Sequence, residues 1–418
     1  MTPRVLRNFQ MFSAGLLAFL IPISKLLTSY AIVLWVVSSL LMWQTKGKSK
    51  WSKRGLWALI AFYIFHLTGL IHTTNFDYAF LDLGMKVSFL LMPLIWLGSR
   101  KFSSRQTDLV MSAFTIGVLV VASYSVVNAF IKFSETGSQN VFYYTDFATM
   151  HPSYLSMYAL FAFSYIVLSL SGKRLFLGIH RKWIYALILL FLLIYINLLA
   201  SKAGVLLAPV AIVILSILIA RFRKSAKKGL VYAASLLAVF GVSLFFSTQT
   251  INRIKNMITI TAEATEDQNT ESNPGQLEPE DTESTTARIT TWTASLRVIE
   301  KNWLFGTGTG DVKIALAEEY TAMGQFELAE DQLNSHNQYL QTWAALGIFG
   351  TFALVLTLLF GLFEAIRKDK NLLFLFIFII SANIFVESML EVQGGIVFFA
   401  FFFGLLITST RSKERFVK

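Results

Sequence analysis

WIYALILLFLLIYINLLASKAGVLLAPVAIVILSILIA, residues 183–220, is two apolar runs joined by Ser201-Lys202-Ala203-Gly204. Each run approaches the roughly 20 residues that an α-helix needs to cross a hydrocarbon core. Lipid offers no partner to backbone N–H and C=O groups, so such a run must be a helix that satisfies its own peptide groups. Four residues between two such helices leave room only for a tight hairpin at the membrane surface, which fixes Lys202 there. Comparable runs lie at 8–24, 26–43, 56–71, 81–97, 108–132, 153–171, 229–247, 337–362, 371–387 and 394–409. Together they predict an all-α polytopic membrane protein with about twelve transmembrane helices.

Composition agrees, since 55% of the 418 residues are hydrophobic and only 15% are charged. The formal charge of +11 is not a nucleic-acid footprint, because the basic residues fall in every second loop. They cluster at Lys46–Arg54, Arg100–Arg105, Lys173–Lys182, Arg221–Lys228, Arg367–Lys370 and Arg411–Lys418. By the positive-inside rule these loops and both termini are cytoplasmic. The basic start, Met1 to Arg7, leads into an apolar run with no small-x-small cleavage site, and reads as a retained first helix. With no cysteine there are no disulfides or thiol nucleophiles.

The chain then divides into residues 1–247 with the first nine helices, a large outer loop at 248–336, and residues 337–418 with the last three helices and a tail. Within the loop, 262–286 is acidic without a basic residue and is expected to be a flexible flap. Residues 287–301 place Ile289, Trp292, Leu296 and Ile299 at helical spacing, an amphipathic helix lying over the membrane face. Val312–Met323 and Gln325–Leu333 read as two short helices. Gly306-Thr307-Gly308-Thr309-Gly310 reads as a turn, because no strand precedes it and no Gly-Lys-Ser/Thr follows.

His336, one of five histidines, stands where this loop meets an apolar run. At helical spacing it shares a face with Tyr339, Leu340 and Trp343, and an imidazole there suits general-base work. The bland alternative is an interfacial histidine in a polar niche. Lys202 and Arg288 are cations on the face that the orientation rule leaves poor in them. Two readings stand: the pair clamps phosphate, or Arg288 pairs with the acidic flap while Lys202 snorkels to headgroups. His151, followed by Pro152, marks another outer helix start, and Glu387 and Glu391 flank the last outer turn. The outer loops hold no Asp-x-Asp and the chain no His-x-x-x-His, so no metal site is expected.

His336-Asn337, nine residues, Gly347, two residues and Gly350 resemble the signature of the O-antigen ligase and polymerase family. Arg288 with Trp292, then Trp303-Leu304-Phe305-Gly306-Thr307-Gly308, resembles that family's loop arginine and glycine turn. Ser201-Lys202 falls where the family usually has Ser-Arg, so the charge survives and the bidentate fork does not. The resemblance implies a bacterial inner membrane and a site on the large periplasmic loop. It implies metal-independent transfer without a cofactor, from an undecaprenyl-pyrophosphate-linked glycan to a hydroxyl of lipid A–core. His336 would be the base, and Arg288 and Lys202 would hold the leaving pyrophosphate. Asn337, Tyr339, Glu387 and His151 would contact substrate, with Glu387 alternatively fixing the imidazole. A polymerase joining repeat units remains an alternative, as does a transporter of polysaccharide or lipid.

Overall fold

The computed structural model describes residues 2–43, 54–99, 101–172, 176–245, 251 and 285–410. Most of the acidic 262–286 segment falls outside them, as do Lys46, Lys48, Lys50, Lys53, Arg100, Lys173, Arg174 and the basic tail. The described chain is helical: α1 (Pro3–Leu20), α2 (Lys25–Trp43), α3 (Arg54–Thr68), α4 (Phe76–Lys86), α5 (Ser88–Gly98), α6 (Ser104–Thr136) and the single turn α7 (Tyr144–Phe147) come first. Then follow α8 (Pro152–Ser171), α9 (Lys182–Leu198), α10 (Lys202–Arg223), α11 (Ala226–Phe245), α12 (Thr285–Asn302), α13 (Val312–Ala322), α14 (Phe326–Glu330), α15 (Gln338–Arg367), α16 (Asn371–Val386) and α17 (Gln393–Thr408).

Among the described residues, eight spans are long and apolar enough to cross a membrane, and α9, α16 and α17 are shorter apolar helices. The expected span 81–97 is a pair, α4 and α5, hinged at Val87 with Pro93 inside the second piece. The expected span 108–132 extends to 104–136, started by a capping box between Ser103 and Gln106 and stopped by Gly137 in the left-handed conformation.

The centre of the bundle is α8 and α17, because these helices are apolar all round and have no face to give to lipid or water. Every residue of α17 from Gly394 to Thr408 is buried. Phe398 and Phe402 meet Phe114, Phe161 and Phe376 with ring centroids 4.8–6.4 Å apart. Around this core α15 packs on α3, α16 and α12, and α10 lies against α8 and α16.

The loops sort to two ends. Ser104, Gly172, Arg221, Lys224, Lys370 and Thr410 line one cavity, and Thr410 N donates to Phe102 O at 3.0 Å. The described basic loops therefore converge on one end, and the loop leading to His336 occupies the other.

That second end is built around a break in α15. Gly347 has φ 64° and ψ −166°, so the helix stops at Leu346 and restarts. The backbone of residues 303–308 fills the gap: Thr307 N donates to Ala344 O at 2.8 Å, Gly308 N to Ala345 O at 3.0 Å, and Trp303 O accepts from Ile348 N at 3.0 Å. A Cβ on Gly347 would lie 2.2 Å from Leu304 O, so the position demands glycine for space as well as for φ. The 306–310 turn is pinned beyond by Asp311, whose carboxylate accepts from Thr74 N at 2.7 Å and Asn75 N at 2.8 Å.

Candidate active site

His336 lies outside the helix whose face it was expected to share. α15 begins at Gln338 with Asn337 as its cap, and the Asn337 side-chain oxygen accepts from Tyr339 N at 2.9 Å and Leu340 N at 3.2 Å. His336 itself has φ 43°, a left-handed turn residue ahead of the cap. Its backbone N–H is taken by Asn334 Oδ1 at 2.9 Å. The preceding Ser335 is fully buried, with its N–H and hydroxyl both on Gln341 Oε1 at 3.0 and 2.9 Å, while Ser295 of α12 donates to its oxygen at 2.8 Å. An immobile serine and a capping asparagine thus bracket the strained residue and hold it in place.

The imidazole meets Glu387, the residue that ends α16, with Nδ1 3.0 Å from Oε1. Arg288 from α12 approaches the other carboxylate oxygen, its guanidinium nitrogen 3.6 Å from Glu387 Oε2. Arg288 is thus paired with Glu387; the acidic flap offered as its partner lies mostly outside the described residues. Glu387 is 6% exposed, and burial alone would raise its pKa. The hydrogen bond from His336 and the electrostatic influence of His336, His151 and Arg288 outweigh burial and hold the carboxyl below its ordinary value. An ionised Glu387 accepts, so Nδ1 is the donor of this bond, and in the neutral imidazole that tautomer leaves the lone pair on Nε2. Glu387 Oε2 and Arg288 Nε are buried without a hydrogen-bond partner, which leaves bonding capacity on the clamp side of the site.

The remaining expected residues are distributed around this trio. His151 caps α8, its Nδ1 accepting from Ser153 N at 3.3 Å, and its imidazole is among the groups that act electrostatically on Glu387. Lys202 opens α10, and its neighbour Ser201 donates to Ser153 Oγ at 3.4 Å, so it enters beside His151. Tyr339 turns away, its hydroxyl donating to Ser381 O at 3.3 Å. The Asn337 oxygen is committed to the cap, and its backbone N–H donates to Ser388 Oγ at 3.1 Å.

The amphipathic helix forms, as α12, but with a different buried face. Ala287, Thr291, Ala294, Ser295 and Val298 pack inward; of the residues expected on the apolar face, Ile299 is buried and Trp292 half-buried, whereas Ile289 and Leu296 are 40% and 50% exposed. Small side chains let α12 approach α15 closely, and that approach brings Arg288 to Glu387. Gln338, Gln341, Ser295, Ser335 and Ser388 are structural members of the site that sequence reading missed. The available signal was polar side chains at Gln338 and Gln341, one turn apart at the head of an otherwise apolar run.

A multi-pass helical membrane protein with a His–Glu–Arg site at the head of a broken helix is the class that these features define. Residues 186–355 match the family model of the O-antigen ligases, so the resemblance read from the sequence stands over that segment. The matched segment contains Lys202, Arg288, His336, Gly347 and Gly350; Glu387 and His151 lie outside it. No curated protein matches the chain. The family carries out glycosyl transfer of the ligase or polymerase type in lipid-linked glycan pathways.

Proposed function

We propose that this protein transfers a glycan from undecaprenyl pyrophosphate to a hydroxyl of lipid A–core, on the periplasmic face of a bacterial inner membrane, without a metal ion. The observation that carries the mechanism is His336 held through Nδ1 by Glu387, with Arg288 on the far side of the same carboxylate. His336 Nε2 takes the proton of the acceptor hydroxyl as its oxygen attacks the anomeric carbon. The bond from that carbon to the pyrophosphate oxygen breaks, and the pyrophosphate leaves with the electron pair. Attack opposite the leaving group inverts the anomeric centre. Arg288 and Lys202 stabilise the charge that develops on the leaving group, a role for which preorganised cations suffice.

The polymerase reading uses the same chemistry with a growing glycan as acceptor. An enzyme is preferred over a transporter on the ground that His336 and Arg288 meet at Glu387 at one end of the bundle rather than along a central path.

The test is transfer by the purified full chain from a lipid-pyrophosphate glycan to lipid A–core in the presence of EDTA. General-base loss in His336→Ala is expected to lower kcat by about 10²–10⁴-fold. Transfer that survives this substitution sinks the mechanism, and transfer abolished by EDTA sinks metal independence. Removing a charge-assisted contact in Arg288→Ala should lower kcat/KM for the donor roughly 10–100-fold. In a strain lacking the protein, uncapped core supports the ligase, and cores bearing one repeat unit support the polymerase.

A further inference from the structure

Behind the site, the buried ionisable side chains Lys86, Asp82 and His66 adjoin the part-buried Glu391, and the proposed chemistry uses none of the four. Lys86 of α4 is 3% exposed, and its ammonium donates to both oxygens of Asp82, at 2.7 and 2.9 Å, and to Glu391 Oε2 at 2.7 Å. Asp82 is 1% exposed, with the buried His66 Nδ1 3.7 Å from its Oδ2. Burying such charges costs several kcal/mol per ion before pairing, and apolar side chains would fill the space as stably. Stability therefore does not account for the group.

What distinguishes it is where Glu391 leads. Its other oxygen, Oε1, accepts from Gln338 Nε2 at 2.7 Å, and Gln338 Oε1 accepts from Leu390 N at 2.7 Å. Gln338 follows His336 by two residues, and Glu391 follows Glu387 by four. The two segments that carry the catalytic pair are therefore laced together at Gln338, Leu390 and Glu391, and Lys86 anchors the lacing to α4. We infer that Lys86 is a positioning residue for glycan transfer, acting through Glu391 and Gln338 to set the turn bearing His336 against the loop bearing Glu387.

The kinetic side of this inference rests on the transfer reaction proposed above. Lys86→Met alone leaves two buried carboxylates without their cation, so the variant to purify is Lys86→Met/Asp82→Asn, which removes one charge of each sign. Glu391→Gln, which drops a charge and keeps an amide oxygen for Gln338, is a second. In full-length protein each is expected to lose at least about tenfold in kcat while the donor KM stays within about twofold. Amides in 386–391 and 335–341 should exchange faster than in the parent. Gln338→Leu should do the same, and its combination with Lys86→Met/Asp82→Asn should be no worse than the weaker of the two, because both cut one chain of contacts. Unchanged kcat, a loss carried by KM, or effects that multiply in the combination would each overturn the inference. If the parent protein transfers no glycan, the functional reading fails, and exchange decides the positioning role separately: unaltered protection at 386–391 overturns it.

Discussion

Glu387 is where three elements meet at a single side chain, and its ionisation is the property most open to measurement. Its pKa is depressed in the folded protein, so ionised Glu387 contributes stability that is fully present above its ordinary value of 4.5 and is lost as pH falls through the lower folded value. Thermal stability of the parent should therefore fall on acidification in that window, and Glu387→Gln should show a shallower fall. A Glu387→Gln curve parallel to the parent's would mean that the carboxylate is not held by His336 and Arg288. At neutral pH the same variant keeps a side-chain oxygen for Nδ1 but loses the charge that stabilises the imidazolium, so kcat should drop by about 10-fold or more. His336 and Arg288 were legible in the sequence as chemistry out of place: a histidine at a water–lipid boundary and a cation on a cation-poor face. The central position of Glu387 was not, because 51 residues separate it from His336 and only the packing of α16 beside α15 closes that distance.

The broken helix is the element on which the site depends. Gly347→Ala puts a side chain where φ is 64° and a Cβ 2.2 Å from Leu304 O. That combination of positive φ with ψ near 180° is essentially confined to glycine and costs about 1–3 kcal/mol for other residues. Since Leu304 O is backbone and cannot swing aside, the 303–308 turn should also be displaced. Faster amide exchange at Thr307 and Gly308 and a lower melting temperature are expected, and an unchanged melting temperature would argue against the inserted turn. Asp311→Ala removes the carboxylate that holds the far side of the turn on Thr74 and Asn75. It should loosen 306–312 by roughly 1–3 kcal/mol, the usual cost of orphaning such donors, while sparing the core helices. The glycine spacing was visible in the sequence, but its meaning was not. Helical periodicity run through Gly347 predicts one rod and places His336 on its face; a cap at Asn337 and a gap at Gly347 exist only because residues 303–308 supply the missing partners.

At the scale of the whole molecule, the apolar runs gave most of the helices, and the charge pattern gave the two ends. What the runs concealed was Asp82 and Lys86, an i,i+4 ion pair inside the expected span 81–97, which Glu391 reaches from the last loop. The proposed orientation can be checked directly, since the chain has no cysteine of its own. Single cysteines at the exposed positions Lys224 and Glu327 lie at opposite ends of the bundle. A membrane-impermeant maleimide added to spheroplasts should label Glu327→Cys and spare Lys224→Cys; the reverse pattern would invert the topology.

The loop between α16 and α17 supplies Glu387, Ser388 and Glu391, and it is among the last parts of the described chain to leave the ribosome. Domains and helices are delivered from the N-terminus onward. A nascent chain that has reached α15 therefore carries its imidazole without the carboxylate that fixes its tautomer and without the anchor to α4. On the proposed mechanism, competence for transfer arrives only with the α16–α17 hairpin, so a partly inserted chain would leave lipid-linked donor untouched until its bundle is closed.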